Sequence, residues 1–578
     1  MRVLLLHPED RPDDRAWAQE NRDVVVDLGF AGAETYADWS RRLKSSFFSI
    51  YKFAEYPQGY RWVNQVLERG RGRLLDSKGL DWWEILALKS YHDLHALFLV
   101  RQFQKEIGSA VPELSATRPH SFTKIAEHAM DVPIRYFKTN ATGPKQKIGR
   151  VLRSARMLQP KQIVDIAFDK WDSAYQLRRH LARHRRARVL DTCVLLPSAY
   201  SNVTRSVLAY AASLPEVQFL LVTTRNNALT GMYPRNVSVA PLAAYVEPSA
   251  ALSKEITDLQ RDWLKFSREM RLQDEQFRCM ADTGVWDNFP SDLARGLQLR
   301  DAWSNVLESE HISGVLCGDD LNHDTRLPLI LARKNGLNAL YCSHGALDLG
   351  FLFKKPFADA YLVKGEMEKD YLESTGAVDK GRIFVAAPGS SGVGPRQSSI
   401  RDAIVFFSQP YEVTGGRVES IYSEVLPQVY AISREAGRKL VVKLHPFESV
   451  RARRALVNSI LATLHDVEIV GGVPPDEVIS RAWCGVTVDS SIAVECALRE
   501  IPVFLCGWLD LTSAGYCRQF ARFAVGHLLN KPDEIQQIPR IVAAFRPDHA
   551  VLKRLWYEAE PMQLREIISG ARQVFWAS

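Results

Sequence analysis

A chain of 578 residues with 46% apolar and 24% charged side chains is too long for a single hydrophobic core and too apolar for disorder, so at least two globular domains are required. Its 74 basic and 67 acidic side chains leave a formal charge of +7, which carries no overall electrostatic footprint for nucleic acid. No fixed-period repeat is present, which excludes a solenoid or coiled-coil array.

The opening MRVLLLHPED places a strand at 2–6, and its apolar run is too short for a secretory signal. No later stretch approaches the ~18–20 uninterrupted apolar residues of a membrane-spanning helix, so a cytoplasmic protein is expected. Further strands are expected at 23–28, 192–197, 218–224, 314–318, 339–343, 360–365 and 383–387, read as one sheet system. Residues 40–110 and 245–310 are helical in pattern and rich in tryptophan, and Trp82, Trp83 and Trp303 are expected in the core. Residues 178–188 carry six arginines and two histidines on a helical pattern; this is either a solvated basic face or a contact to anionic lipid or polymer, hence a candidate peripheral contact with the inner membrane.

Residues 388–402, PGSSGVGPRQSSIRD, concentrate Gly, Pro and Ser, and a linker is placed at 391–402. The expected organisation is an N-terminal Rossmann-like domain over 1–390 with helical insertions, a C-terminal Rossmann-like domain over 403–545, and terminal helices over 546–578. The second domain has strands at 403–408, 439–444, 467–471, 485–490 and 502–507, each separated by a helix-length segment. Apolar strand runs alternating with helices give an α/β chain of doubly wound parallel sheets. The eight cysteines form no Cys-x-x-Cys pair and read as reduced, packed thiols.

In such sheets ligands sit outside the carboxyl ends of the strands, so the residues at strand ends carry the functional question. His7, Glu9 and Asp10 follow the first strand. Asp319 and Asp320 follow GVLCG, where a carboxylate serves either as general base or nucleophile, or simply as a helix cap. His344 lies in the turn after the next strand. In the second domain Lys443-Leu444-His445-Pro446 ends a strand, with proline fixing the exit and the imidazole able to donate to a phosphate oxygen. Ser490 and Ser491 open the helical run IAVECALRE, as caps or as anion ligands. Ser408, Gln409 and Tyr411 end the strand AIVFFS.

The segments GDD, YCSHGALD, ADAYLVKG, KLHP and DSSIAVECALREIPVF, in that order, resemble bacterial surface-polysaccharide glycosyltransferases of the GT-B fold. Within that group they are most similar to the capsule and lipopolysaccharide enzymes with cytidine-monophosphate donors, the Kdo transferases, with sialyltransferases and glycerophosphotransferases as cousins. The resemblance spans about 310–510, and Leu321 stands where the sialyltransferase pattern has glycine. It implies two Rossmann-like domains facing across a cleft. His445, Pro446, Ser490 and Ser491 would bind the donor's nucleotide phosphate, with Lys443, Ser408 and Gln409 beside them. Asp319 or Asp320, with His344, would carry the chemistry, and His7, Glu9 and Asp10 would face the acceptor. Partners are then a nucleotide-sugar donor, CMP-linked, and a surface glycan or glycolipid acceptor, with no nucleic acid, no cofactor and no required metal. A nucleotide-sugar epimerase, a glycerophosphotransferase and a non-catalytic polysaccharide-binding protein are the alternatives.

Overall fold

The computed structural model describes residues 1–10, 22–54, 58–108, 112–137, 192–225, 228–229, 232–247, 249–345, 351, 354–389, 401–412, 415–461, 467–472, 475–510 and 516–570. The basic run 178–188 lies outside the described residues, and so does all but the ends of the 388–402 segment.

Every expected strand forms, and five more join them, in three sheets whose strand pairs are all parallel. The first sheet holds β1 (Arg2–Leu6), β2 (Val24–Asp27), β3 (Ser46–Ser49), β4 (Glu113–Ala116) and β5 (Ile134–Tyr136), in the order β3-β2-β1-β4-β5. The second holds β6 (Cys193–Ser198), β7 (Gln218–Thr223), β8 (Val237–Pro241), β9 (Ile312–Cys317), β10 (Asn338–Cys342), β11 (Ala360–Val363) and β12 (Ile383–Val385), in the order β12-β11-β10-β9-β6-β7-β8. The third holds β13 (Ala403–Phe407), β14 (Lys439–Lys443), β15 (Val467–Val470), β16 (Ala482–Thr487), β17 (Val503–Cys506) and β18 (His527–Leu529), in the order β15-β14-β13-β16-β17-β18.

The strands before residue 390 therefore form two sheets and not one. The first is a complete doubly wound layer because β4 and β5 pair on the far side of β1. All three sheets repeat one winding rule: the first three strands run outward to one edge, and the fourth returns to pair with the first. Each thus has one point where the strand order reverses and the flanking helices part to leave a crevice.

The described residues divide by compactness into two units. One comprises Met1–Gly59, Asp93–Val164 and Val393–Leu552; the other comprises Tyr60–His92, Asp165–Gly392 and Lys553–Ser578. This partition does not follow the expected 1–390 and 403–545 grouping, because the five-stranded sheet belongs with the six-stranded one.

Inside that first unit the two sheets are joined by backbone and by charge. The Phe30 N–H donates to Gly415 O at 3.0 Å and the Arg417 N–H to Phe30 O at 2.9 Å. The Arg417 guanidinium binds both carboxylate oxygens of buried Asp27, at 2.6 and 2.7 Å, and donates to the carbonyls of His7, Pro8 and Asp10. Phe30 also packs into the core of the six-stranded sheet with Tyr411, Val418 and Tyr422.

In the second unit the tryptophans pack as expected. Trp83 stacks against Phe277 at 4.9 Å, and Trp82 lies over Gly296, where a Cβ would meet its ring at 2.2 Å. The closing helix Pro561–Ile568 buries Leu564, Ile567 and Ile568 in the core of the seven-stranded sheet. Asn338 Nδ2 donates to Ile567 O at 3.0 Å, satisfying a carbonyl of that helix's last turn. All eight cysteines are buried free thiols. No described helix is long and apolar enough to cross a membrane.

Candidate functional site

At the reversal point of the six-stranded sheet, β13 lies between β14 and β16, with Phe407 in register with Lys443 on one side and Thr487 on the other. Three of the strand ends singled out in the sequence are thereby neighbours. The Ser408 N–H donates to Lys443 O at 2.9 Å, Thr487 Oγ1 donates to Phe407 O at 3.0 Å, and the Asp489 N–H donates to Gln409 Oε1 at 3.4 Å.

Glu448 organises the His-Pro turn. It accepts the His445 N–H at 2.7 Å, Ser408 Oγ at 2.8 Å and Arg453 Nε at 2.7 Å, and Ser408 also bonds Tyr422 OH at 2.6 Å. His445 Nδ1 accepts the Phe447 N–H at 3.2 Å, so in the neutral imidazole the proton resides on Nε2. Burial, and then the Lys443 ammonium, push the His445 pKa down to about 4, so the ring is neutral at physiological pH and offers Nε2–H as a donor. Lys443 is itself buried, with Nζ donating to Leu444 O at 2.9 Å.

Ser490 Oγ accepts the Ile492 N–H at 3.5 Å, whereas the exposed Ser491 forms no side-chain cap. The helix that follows, Ile492–Leu498, is only seven residues long, so the hydroxyls offer more to an anion than its dipole does. Tyr411 turns into the core and does not share this edge. Pro446 is exposed at the turn.

Strand-end reasoning had not singled out Glu448, Arg453 or Asp510. Asp510 follows β17, the strand beyond β16, and the same strand-end rule applied to GWLD would have found it. Its pKa is raised to about 7, first by burial and then by Asp489, with Arg518 opposing. Below the ordinary value of 3.8 the carboxyl is protonated in folded and unfolded chains alike. Between 3.8 and about 7 the unfolded chain ionises first, so this group's contribution to stability falls as pH rises through that window. Asp510→Asn is expected to flatten that decline, read as melting temperature from about pH 4 to about pH 8 against wild type.

The seven-stranded sheet reverses between β6 and β9, and there the two adjacent acids part company. Asp319 Oδ1 accepts the Leu321 N–H at 3.0 Å and Oδ2 accepts Asn322 Nδ2 at 2.6 Å. Burial raises its pKa, with His344 the leading opposing influence. His344 is exposed, and its Nδ1 donates to Gly318 O at 2.9 Å, which directs Nε2 outward. Lys364 Nζ holds the same turn through Ser343 O and Gly345 O.

Asp320 points the other way, into a fully buried ion cluster with Lys354 and with Arg326 Nη1 at 3.1 Å. Arg326 also reaches Glu84 at 2.7 Å and covers the Phe357 ring. Beside Asp319, on the β6 side, Tyr200 OH accepts Arg225 Nη1 at 2.9 Å, and Arg225 bonds buried Asp324 at 2.8 and 3.0 Å. Burial works to raise the Asp324 pKa, but His323, Arg225 and Arg295 hold it below the ordinary carboxylate value.

At the reversal point of the five-stranded sheet, the His7 N–H donates to Thr117 Oγ1 at 3.0 Å and the His7 ring meets His120 edge-on at 5.2 Å. Arg118 binds Glu9 at 2.9 Å and also pairs with Asp10. His7, Glu9 and Asp10 are thus brought together, and both acids are engaged by an arginine. Asp319 and His344 belong to one compact unit; His7, Glu9, Asp10 and the His445 and Ser490–Ser491 group belong to the other. Among the described residues no group of three or more His, Cys, Asp or Glu side chains is placed to hold a metal ion.

No protein-family model matches the chain, and no curated protein matches it. Solved structures similar to it include a UDP-N-acetylglucosamine 2-epimerase from Listeria monocytogenes, described as putative (11% identity, TM-score 0.41, 68% of this chain and 98% of that one). Another is the UDP-GlcNAc 2-epimerase from Neisseria meningitidis bound to UDP-GlcNAc (10% identity, TM-score 0.41, 67% and 100%). A third is a spinosyn rhamnosyltransferase (13% identity, TM-score 0.37, 66% and 96%). The fold described above rests on the strand order of the chain's own sheets.

Proposed function

We propose that this chain is a nucleotide-sugar-dependent glycosyltransferase of the GT-B type, with the six-stranded sheet holding the donor and the seven-stranded sheet supplying the base. The observation that carries the proposal is the convergence of the β13, β14 and β16 ends on one reversal point. There a neutral Nε2–H imidazole, a buried ammonium and an uncapped serine hydroxyl share one edge. Those are donors suited to a phosphate group, and they match the place where doubly wound sheets take nucleotides.

On the base side Asp319 is the better of the two acids, since Asp320 is neutralised by Lys354 and Arg326 inside the core. Asp319 would take the proton of an acceptor hydroxyl, and burial brings its pKa toward the working pH. His344, exposed beside it with Nε2 outward, would orient the acceptor. The motif resemblance favours a CMP-linked sugar of the Kdo or sialic-acid kind and a surface glycan or glycolipid acceptor.

Thermal unfolding with CMP, CDP, UDP and GDP tests the donor half. CMP is expected to raise the melting temperature most, because a ligand at 100 times its Kd adds about 2.7 kcal/mol. His445→Ala and Ser490→Ala with Ser491→Ala are expected to remove that shift while leaving the unliganded melting temperature within about 2 °C. A shift of equal size in the variants would place the nucleotide elsewhere. Conversion of a nucleotide sugar without acceptor would replace the transferase by an epimerase, and glycan binding without turnover would leave a binding protein.

A further inference from the structure

The helix Ala250–Gln273 is held to the second unit by one side only. Leu259, Trp263, Phe266 and Met270 are buried, and Trp263 stacks on Phe289 at 4.1 Å. On a 3.6-residue repeat, the opposite side brings Lys254, Arg261, Lys265, Arg268 and Arg271 within roughly one third of the circumference, and no acid falls inside that arc. Asp258 sits at its border, bonded to Lys254 and Arg261, and Arg271 pairs with Asp282 from the next helix, so the face keeps a net positive charge. The same arc exposes Leu264 at 62% and Leu272 at 84%, two turns apart.

We propose that this face docks on an anionic lipid surface. A polyanion such as nucleic acid or an acidic glycan would use the five cations and leave both leucines in water. A bilayer with anionic headgroups uses both, with the ammonium and guanidinium groups at phosphate level and the leucines entering the acyl boundary. The packed side of the helix already supplies its attachment to the fold, so the outer leucines have no internal partner to serve. None of the proposed nucleotide and acceptor residues lies on this helix, and the inference stands whatever reaction the protein performs.

The full-length protein is mixed with vesicles of phosphatidylglycerol and phosphatidylcholine, or of phosphatidylcholine alone, at physiological salt, and the bound fraction is read by flotation. Wild type is expected on the anionic vesicles only. Lys265→Glu with Arg268→Glu is expected to lose at least about tenfold in affinity. Leu264→Ser with Leu272→Ser is expected to lose several-fold on vesicles while still binding heparin. All four positions are exposed, so melting temperatures are expected to match wild type; Leu272→Trp, read as a fluorescence blue shift on anionic vesicles, gives a second measure that removes no charge. Equal binding of wild type to both vesicle types, unchanged binding of the Glu pair, or no blue shift would overturn the proposal. Unchanged vesicle binding of the Ser pair would reduce the face to a polyanion contact and overturn it equally.

Discussion

Asp319→Asn is expected to lower kcat/KM for transfer by about 10²–10⁴ at a cost of only about 1–2 kcal/mol in stability, whereas Asp320→Asn is expected to lower unfolding free energy by about 3–5 kcal/mol. The asparagine amide oxygen at 319 can still accept the Leu321 N–H, so the local turn survives, while the bond from Asn322 Nδ2 and the basic oxygen are lost. At 320 the change leaves Lys354 and Arg326 buried with one negative charge fewer, and a buried cation without its partner is among the costliest single defects. Steady-state kinetics together with urea unfolding separate the two. A stable, inactive Asp320→Asn protein beside an active Asp319→Asn protein would reverse the assignment. The raised Asp319 pKa also moves the acid limb of the kcat/KM profile above the ordinary aspartate value of 3.8, because the base works only when deprotonated.

Arg417→Met is expected to cost about 3–5 kcal/mol, since it strands the Asp27 carboxylate in the interior and removes the guanidinium donors to the carbonyls of His7, Pro8 and Asp10 together. Asp27→Asn in the same chain is expected to recover part of that loss, because the Gly29 N–H can still donate to the amide oxygen and the Tyr36 hydroxyl, which also reaches Gly29 O, can accept from the amide nitrogen. Urea denaturation of the two single variants and the double variant gives the coupling energy. Strict additivity would mean that Arg417 and Asp27 stabilise the fold independently. Because this pair joins the five-stranded to the six-stranded sheet, Arg417→Met is further expected to split one unfolding transition into two.

The strands legible in the sequence were those with continuous β-branched or aromatic runs, such as TCVLLP and AIVFFS. The five that were not, β3, β4, β5, β8 and β18, are three to five residues long, and each but β4 is itself an edge strand. β4 carries Glu113 and Ser115 toward one face and owes its conformation to pairing with β1, more than a hundred residues away. Short segments of this kind give no period to read, and their hydrogen-bond partners are set by the fold.

The candidate donor site was legible because proline, serine and histidine at strand ends carry their own local signals. Its supporting shell was not, since Glu448 and Arg453 look like ordinary surface charges in a helical segment until Ser408 and Glu412 are brought to them. The helix Ala250–Gln273 presents the same contrast: its period is in the sequence, but which leucines face water depends on where Trp83 and Phe289 lie.

By itself the sequence determined the α/β class, the strand-end residues, the buried thiols and the tryptophan core, all of which follow from local period, turn chemistry and hydrophobicity. The tertiary structure decided that three sheets form, that the first shares a compact unit with the third, and that of two buried acids Asp320 joins an ion cluster while Asp319 binds the turn after β9. Those outcomes depend on pairings between residues hundreds of positions apart, such as Arg417 with Asp27 and Arg326 with Glu84, which no local pattern encodes.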